Sequence, residues 1–552
     1  MFRQKSFKPV RFNPILLLIC SLVLPVLLSC KAEVSAPRTV PRWGVAQFEL
    51  SYDAPLENPF TEVEAEAVFT APEGREMIRV EGFYDGGSLW KFRFVPRAHG
   101  TWKAELKLKR NGKKIAEASE WFNCVGDEGH GFLEHSPANH YRLQYEDGTP
   151  FYSVGIQPCG HARAGLDGPL RGEGEWRTLD MDTYLQAFHG AANLFRIQLG
   201  TGTRAGCARE IMTDALGLYR YNLDACRLLD DTFTLLGKYG FATILIPFQD
   251  MSLWHTDSTI FGTNKDVKSW KNIQNTEAVE PVRHYIRYLV ARYAAYTDIW
   301  ELFNEDVYTP DDWLAEIAAF VKSLDPYGHL VTTNYERPLA AWNDIVTAHG
   351  YMSIPAWEVE QHLSKQYARL KSFGKPVMYT EFGNKGTLSN RDPVKWRIAV
   401  WTAFMNESSM LFWSMGGILL PEAPEGRGGN ANAYLGPEAR ASFRHFLNFV
   451  RELPIDMRPV MVGYPGRNQL NKYALSNGEI TVLYLNHYSG HDSSTSGGIY
   501  VMTGPGEFEI SWFDPSTGET VGTERAETES YTLIFPSPDV TTDMAAKIKR
   551  VN

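Results

Sequence analysis

Two glutamates that follow strand-like apolar runs are the residues best suited to chemistry in this 552-residue chain. Glu305 ends the segment DIWELFNE (298–305), and Glu381 follows the run PVMYT (376–380). The chain between them has room for about two β/α units, and in a β/α barrel the C-terminal ends of different strands meet in one pocket. Two carboxylates about 5 Å apart can divide the work of retaining glycoside hydrolysis, one as acid/base and the other as nucleophile.

The region that must position these glutamates, 130–450, alternates short apolar runs with amphipathic helical segments, a pattern typical of α/β folds. One such helix, predicted over 278–296, carries an apolar stripe at helical spacing. Eight apolar runs are candidate strands: 151–156, 194–199, 242–247, 299–303, 330–334, 345–349, 377–380 and 410–414. Eight strands with helices between them predict a TIM (β/α)8 barrel.

The segments on either side of this barrel predict β-sandwiches, an N-terminal one over 40–127 and a C-terminal one over 455–552. In the first, the turn Asp85-Gly86-Gly87 joins two strand-like runs, 78–84 and 89–95. In the second, strand-like runs include 480–486 and 508–513. The predicted fold is therefore a TIM barrel flanked by two β-sandwich domains, preceded by a targeting segment over 1–30.

Residues 140–420 resemble the clan A glycoside hydrolases, a group of retaining (β/α)8 enzymes that includes cellulases and mannanases. The resemblance rests on Asn304-Glu305 at the end of strand four and on Glu381 at the end of strand seven. It implies that Glu305 is the general acid/base and Glu381 the nucleophile. The alternative is that both glutamates are salt-bridged loop residues.

The same resemblance implies supporting roles for five further residues. Arg196 in strand two would contact Glu381, and Asn304 would bind the sugar 2-hydroxyl. Of the two residues after strand six, Tyr351 would hydrogen-bond Glu381 and His349 would contact the sugar or Asn304. Trp413 would form the floor of the −1 subsite. The alternatives are an Arg196 paired elsewhere, an Asn304 that caps the next helix, a structural His349 and a Trp413 in the core.

The long loop after strand three provides further candidates for substrate binding. Trp254 and His255 lie in this loop and are predicted to line a subsite. Weaker candidates are polar or aromatic residues near other strand ends: Gln157, Gln249, Asp250, Asn334, Tyr335 and Trp342.

The flanking segments also resemble known domains. The N-terminal sandwich is similar to a domain of unknown function that is often fused to glycosidase barrels in Bacteroidetes. The C-terminal segment, with Trp512-Phe513-Asp514-Pro515 and Gly518, resembles the β-domains that follow several glycosidase barrels.

Residues 1–30 predict a targeting segment, because a basic start precedes a short apolar stretch that ends in Leu27-Leu28-Ser29-Cys30. This ending resembles the bacterial lipobox, which implies cleavage before Cys30, lipidation of its thiol and a membrane tether. The alternative is an ordinary secretory signal with a chance cysteine. The following Lys31-Ala32-Glu33 loosely resembles the surface-export signals of Bacteroidetes lipoproteins, so we expect an outer-membrane lipoprotein, at the cell surface or facing the periplasm.

Composition narrows the range of partners. The formal charge of −10 disfavours nucleic acid as a partner. The cysteines show no CxxC or Cys/His metal spacing, and we expect neither a metal nor an organic cofactor. In an oxidising compartment Cys207 and Cys226 could pair, and buried free thiols are the alternative.

These observations predict a retaining glycoside hydrolase that cleaves a β-linked plant or algal poly- or oligosaccharide. A second hypothesis is a surface glycan-binding lipoprotein whose barrel is catalytically inactive. A third is an adhesion or structural lipoprotein that binds a partner through its sandwiches.

Overall fold

The computed structural model describes residues 33–53, 55–157, 181–199, 211–213, 215–249, 260–263, 265–267, 269–383, 392–413, 435–463 and 468–551. Cys30, Cys207, Asp250, Trp254 and His255 lie outside these ranges. Within them, no helix is both long and apolar enough to cross a membrane.

Eight parallel strands form a nearly closed barrel, which confirms the predicted TIM-barrel fold. The barrel strands are Val154–Ile156 (β1), Leu194–Gln198 (β2), Ala242–Ile246 (β3), Ile299–Glu301 (β4), Leu330–Thr332 (β5), Val346–Tyr351 (β6), Val377–Gly383 (β7) and Ser409–Phe412 (β8). Their spatial order is β5-β4-β3-β2-β1-β8-β7-β6. A short parallel pair, Phe248–Gln249 with Phe303–Asn304, extends the barrel beyond β3 and β4.

The open seam lies between β5 and β6, and hydrogen bonds outside the strand ladders bridge it. The amide of Asp344 donates to the carbonyl of Val331 at 2.8 Å. The hydroxyl of Thr332 donates to the carbonyl of Ile345 at 2.7 Å. These hydrogen bonds connect the two edge strands and so complete the ring of strands.

Amphipathic helices surround the barrel and bury their apolar faces against it. The helix predicted over 278–296 is observed as an α-helix, Thr276–Tyr293, followed by a 3₁₀ turn, Ala294–Tyr296. The other described α-helices are Pro59–Glu62, Met181–Phe188, Leu223–Lys238, Ile260–Thr263, Asp311–Leu324, Ala356–Lys371, Pro393–Met405 and Gly436–Val450. A further 3₁₀ turn spans Pro72–Gly74.

Two sheets around their own apolar core form the N-terminal sandwich. One contains Glu33–Ser35, Ala46–Ser51, Leu89–Phe94 and Phe83–Tyr84. The other contains Thr39–Arg42, Lys113–Asp127, Gly100–Arg110, Glu64–Thr70 and Met77–Glu81.

The prediction of a single strand over 78–84 is wrong. The segment forms two strands, Met77–Glu81 and Phe83–Tyr84, which belong to different sheets, and the chain changes sheet at Gly82. A Cβ atom there would lie 2.5 Å from the ring of Phe92, so only glycine fits where the chain crosses the core.

A second pair of sheets around a separate apolar core forms the C-terminal β-region. Its six-stranded sheet contains Arg458–Pro459, Leu470–Ser476, Ile480–His487, Asp543–Arg550, Gly506–Asp514 and Glu519–Thr528. Its three-stranded sheet contains Val462–Gly463, Gly498–Met502 and Thr532–Pro536.

A small antiparallel sheet, Leu133–His135, Leu143–Tyr145 and Pro150–Phe151, precedes the barrel. Phe151 was predicted to open strand one, but it belongs to this small sheet, and β1 begins at Val154.

Candidate active site

The two glutamates lie together at the carboxyl ends of the barrel strands, as their positions in the sequence predict. One carboxylate oxygen each from Glu305 and Glu381 and a ring nitrogen of His349 lie within 4.8 Å of one another. Glu381 is 3% exposed within β7, and Glu305 follows the short strand Phe303–Asn304. Two carboxylates this close are compatible with double displacement at a sugar, for which the carboxyl groups lie roughly 5 Å apart.

The backbone around each glutamate is irregular. Between β6 and β7 the register shifts, so that Ala348 faces Tyr379 but His349 faces Glu381. Glu305 has a φ of 53°, in the left-handed region that non-glycine residues seldom occupy. Bulges and such backbone conformations cluster at functional sites because they direct side chains that a regular strand would point elsewhere.

Arg196 is the centre of a buried network beneath the two carboxylates. Its Nη1 donates to Oε1 of Glu381 at 2.7 Å, and its Nη2 donates to Oδ1 of Asn304 at 2.8 Å. Nη1 also donates to Gln157. Arg196 therefore contacts Glu381 as the resemblance implies, and the Asn304 side chain binds Arg196 rather than capping the next helix, which begins at Asp311.

Sequence reasoning did not assign a role to Glu301, which binds Arg196 from the other side. Its two oxygens accept hydrogen bonds from Nε and Nη2 of Arg196 at 2.7 and 2.5 Å. Both side chains are completely buried. A signal was present in the sequence, because a buried arginine in one apolar strand requires an acid, and Glu301 lies within another apolar strand.

The second carboxylate oxygen of Glu381 also has a partner in the pocket. The Tyr351 hydroxyl donates to Oε2 of Glu381. Burial, together with this carboxylate, raises the pKa of Tyr351 well above its usual value, so the phenol remains a donor. Trp413 lies next to Tyr351, with ring centroids 5.7 Å apart, and its amide donates to the carbonyl of Phe382 at 3.0 Å.

Glu305 has a different environment. Burial raises its pKa, while the charge of Arg196 and a hydrogen bond from Tyr335 oppose that rise. Nδ1 of His349 lies 2.9 Å from Oε1 of Glu305. Burial lowers the pKa of His349 to about 4, so this imidazole is neutral at physiological pH. A glutamate with a raised pKa beside one bound by an arginine is the arrangement that separates an acid from a nucleophile.

The remaining sequence candidates have mixed outcomes. Gln157 and Tyr335 are in the network described above. Asn334 lies with its amide nitrogen 3.5 Å from the hydroxyl of Thr347, and Trp342 packs against the core. Gln249 pairs with Asn304 in the barrel extension, and its side chain is outside the described residues.

The cluster of Glu305, His349 and Glu381 also has distances that could hold a metal ion. However, both oxygens of Glu381 already accept hydrogen bonds, Oε1 from Arg196 and Oε2 from Tyr351. The donor set therefore fits acid/base chemistry better than metal binding.

A cavity of about 450 Å³ lies at the opposite end of the barrel, against the N-terminal sandwich. Trp43 and Asp298 line it. The indole nitrogen of Trp43 donates to Glu146 at 2.9 Å. Asp298 accepts hydrogen bonds from the amides of Leu133 and Thr243 at 3.2 and 2.7 Å. These polar groups are used in packing the sheets together, and this cavity is remote from the carboxylates.

The two cysteines within the described residues, Cys124 and Cys226, are buried free thiols. For Cys226, the structure therefore favours a buried free thiol over a disulfide with Cys207.

Comparison with known proteins agrees with this fold. Residues 39–109 match the model of a domain of unknown function, DUF5060. The chain is 28% identical over 249 residues to mannan endo-1,4-beta-mannosidase F of Aspergillus clavatus, an alignment that covers 37% of this chain and 53% of that protein. The chain thus spans about half the length of this curated relative.

Two crystal structures from Bacteroides vulgatus ATCC 8482 share the architecture. One, whose assignment as a glycoside hydrolase is provisional, has a TM-score of 0.68 at 16% identity and covers 93% of this chain and all of that one. The other, a glycoside hydrolase family 5 protein, has a TM-score of 0.53 at 14% identity and covers 76% of this chain and 94% of that one. At these identities the likeness establishes the fold, a TIM barrel with additional β-rich regions.

Proposed function

We propose that this protein is a retaining glycoside hydrolase that cleaves a β-linked polysaccharide, with β-1,4-mannan as the first substrate to test. The observation that carries the proposal is the pair Glu305 and Glu381, within 4.8 Å of each other and in contrasting environments. The choice of mannan rests on the curated relative, which is named as a mannan endo-1,4-beta-mannosidase.

In the proposed first step, Glu305 donates a proton to the leaving glycosidic oxygen while Glu381 attacks the anomeric carbon. The glycosidic bond breaks and a glycosyl ester forms on Glu381. In the second step, water attacks the anomeric carbon, Glu305 accepts its proton, and the carboxylate of Glu381 leaves. Asn304 would bind the 2-hydroxyl, Trp413 would pack against the sugar face, and His349 would help to orient Glu305.

The test uses the chain without residues 1–30 on β-mannan, glucomannan, xylan, cellulose and algal β-glucan, with products identified by mass. Glu305→Gln and Glu381→Gln should each abolish release. Glu360→Gln is a matched control, because Glu360 is 1% exposed but accepts its hydrogen bonds away from the two glutamates, from Ser364 of its own helix and from Tyr473 of the C-terminal β-region. It should retain activity.

Three outcomes would contradict the proposal. Tight glycan binding without any product would favour a binding protein with an inactive barrel. Product release that persists in both glutamine variants would mean that other groups do the chemistry. Loss of activity with EDTA, restored by a divalent cation, would assign a metal to the site.

We also propose that the chain is an outer-membrane lipoprotein attached through Cys30. The support is the lipobox-like sequence at 27–30. Metabolic labelling with a fatty acid should modify the wild-type chain but not Cys30→Ser. Equal labelling, or none in either, would contradict the anchor.

A further inference from the structure

Glu301 is a buried carboxylate that the proposed double displacement does not use. It ends β4 and has no solvent-exposed side-chain area. A carboxylate in such a place is costly unless it is paired and fully hydrogen-bonded. Its partner, the equally buried Arg196, is shared with Glu381, so the three side chains form one continuous chain of charges.

The guanidinium of Arg196 has five N–H donors, and each has an acceptor here. Glu301 binds the edge formed by Nε and Nη2 in a two-pronged contact. The second Nη2 donor binds Asn304, and the two Nη1 donors bind Gln157 and Glu381. Because Glu301 occupies the edge formed by Nε and Nη2, Arg196 contacts Glu381 only through Nη1. Arg196 therefore cannot rotate to form a bidentate contact with Glu381.

The charges in this network add up to a net negative site. Two carboxyl groups, those of Glu301 and Glu381, pair with the single positive charge of Arg196. Burial lowers the pKa of His349 to about 4 and raises the pKa values of Tyr351 and Tyr335, so all three side chains are neutral near pH 7. A negative site suits a glycosidase, since positive charge develops on the sugar in its oxocarbenium-like transition state. Arg196 alone would oppose that charge.

We propose that Glu301 is a positioning residue that neutralises Arg196 and fixes its orientation, so that Arg196 binds Glu381 through one oxygen only and leaves it a negatively charged nucleophile. This inference rests on the proposed function, because it assigns Glu381 that role. It also accounts for a third buried glutamate that shares Arg196 with Glu381.

The test is Glu301→Gln in the chain without residues 1–30, because glutamine keeps the shape and removes the charge. With Arg196 uncompensated, kcat should fall about 10²-fold with little change in KM, since the lost interaction acts on the transition state. The uncompensated positive charge of Arg196 lowers the pKa of Glu305, so the alkaline limb of the kcat/KM–pH profile should move to lower pH.

A purely structural role would give a different result. Glu360→Gln removes a comparably buried glutamate elsewhere and should leave the pH profile in place. If Glu301→Gln lowers activity only as far as it lowers the folded fraction, with an unshifted profile, the inference is wrong. If the wild type hydrolyses no glycan, the proposed function fails. If the wild type is active but Glu301→Gln does not shift the kcat/KM–pH profile, Glu301 is not a positioning residue.

Discussion

At the scale of single residues, the two oxygens of Glu381 have separate partners, Arg196 on Oε1 and Tyr351 on Oε2. Tyr351→Phe should lower kcat by about 10- to 10²-fold, because a hydrogen bond to a charged group contributes about 1.5–3 kcal/mol. Tyr367→Phe is the control, since the Tyr367 hydroxyl is buried and has no hydrogen-bond partner among the residues that the structure describes. Steady-state kinetics with equal activity in wild type and Tyr351→Phe would contradict this role.

The environment of Glu305 predicts the alkaline limb of the pH profile. Since the acid must be protonated for the first step, activity is lost as pH rises through the pKa of Glu305, and burial places that pKa above the usual glutamate value. The hydrogen bond from Tyr335 lowers it. Tyr335→Phe should therefore move the alkaline limb of kcat/KM to higher pH, and a limb that stays in place or moves down would contradict this assignment.

The sequence was sufficient to predict which glutamates lie together, because a strand of known direction places its last residue at a known end of the barrel. It was not sufficient to assign Glu301. The strand that contains it reads as apolar, and whether its carboxylate faces the barrel interior depends on the strand tilt, which spacing alone does not give. The structure resolves this by placing Arg196 opposite.

At the scale of elements, β6 depends on a glycine between its two site residues. His349 and Tyr351 face the pocket, while a Cβ on Gly350 would lie 2.6 Å from the ring of Tyr379. Gly350→Ala should push β6 away from β7, lowering the free energy of unfolding by about 1–3 kcal/mol and reducing kcat.

The matched control for Gly350→Ala is Gly237→Ala in the helix Leu223–Lys238. Apart from its chain neighbours and the backbone of its own helix, no atom of the described residues lies within 4 Å of a Cβ built there. Alanine should therefore be neutral or stabilise by up to about 1 kcal/mol. Denaturant unfolding and kinetics measure both variants. Unchanged stability and activity in Gly350→Ala would mean that the strand accommodates the methyl group without moving.

The shift in register between β6 and β7 explains why the sequence pattern did not predict where these two strands end. The predicted strand ends, 349 and 380, fall just short of Tyr351 and Glu381. Both strands continue because the bulge at Thr380 lets pairing resume after the shift. A bulge leaves no periodic signal in a run that is buried on both faces, so alternation could not reveal it.

At the scale of the whole molecule, a buried charge cluster joins the N-terminal sandwich to the barrel. Asp230 accepts hydrogen bonds from Arg93 of the sandwich at 2.9 Å and from Arg292 at 2.6 Å, and Arg292 also binds Asp85 at 2.8 Å. These partners are far apart in sequence, Arg93 and Asp230 by 137 positions. No local pattern predicts such a pairing, although the sandwich and the barrel themselves were both predictable.

Asp230→Ala should destabilise the chain by about 3–5 kcal/mol, because it removes a shared counterion from two buried arginines. The neighbouring Asp231 is exposed, so Asp231→Ala should have almost no effect. Calorimetry should give one transition for sandwich and barrel, shifted as a unit in Asp230→Ala. Two separate transitions, with only the sandwich affected, would show that the interface does not couple them.

In the proposed mechanism Glu381 forms a covalent bond to the sugar, and trapping the glycosyl ester would reveal that bond. A 2-deoxy-2-fluoro mannosyl or mannobiosyl fluoride has a good leaving group, while its fluorine slows hydrolysis of the intermediate. After proteolysis, mass spectrometry should find the fluoro-sugar on the peptide that contains Glu381, and no label in Glu381→Gln. Label on a different carboxylate, or mannan hydrolysis by a chain that is never labelled, would contradict the account.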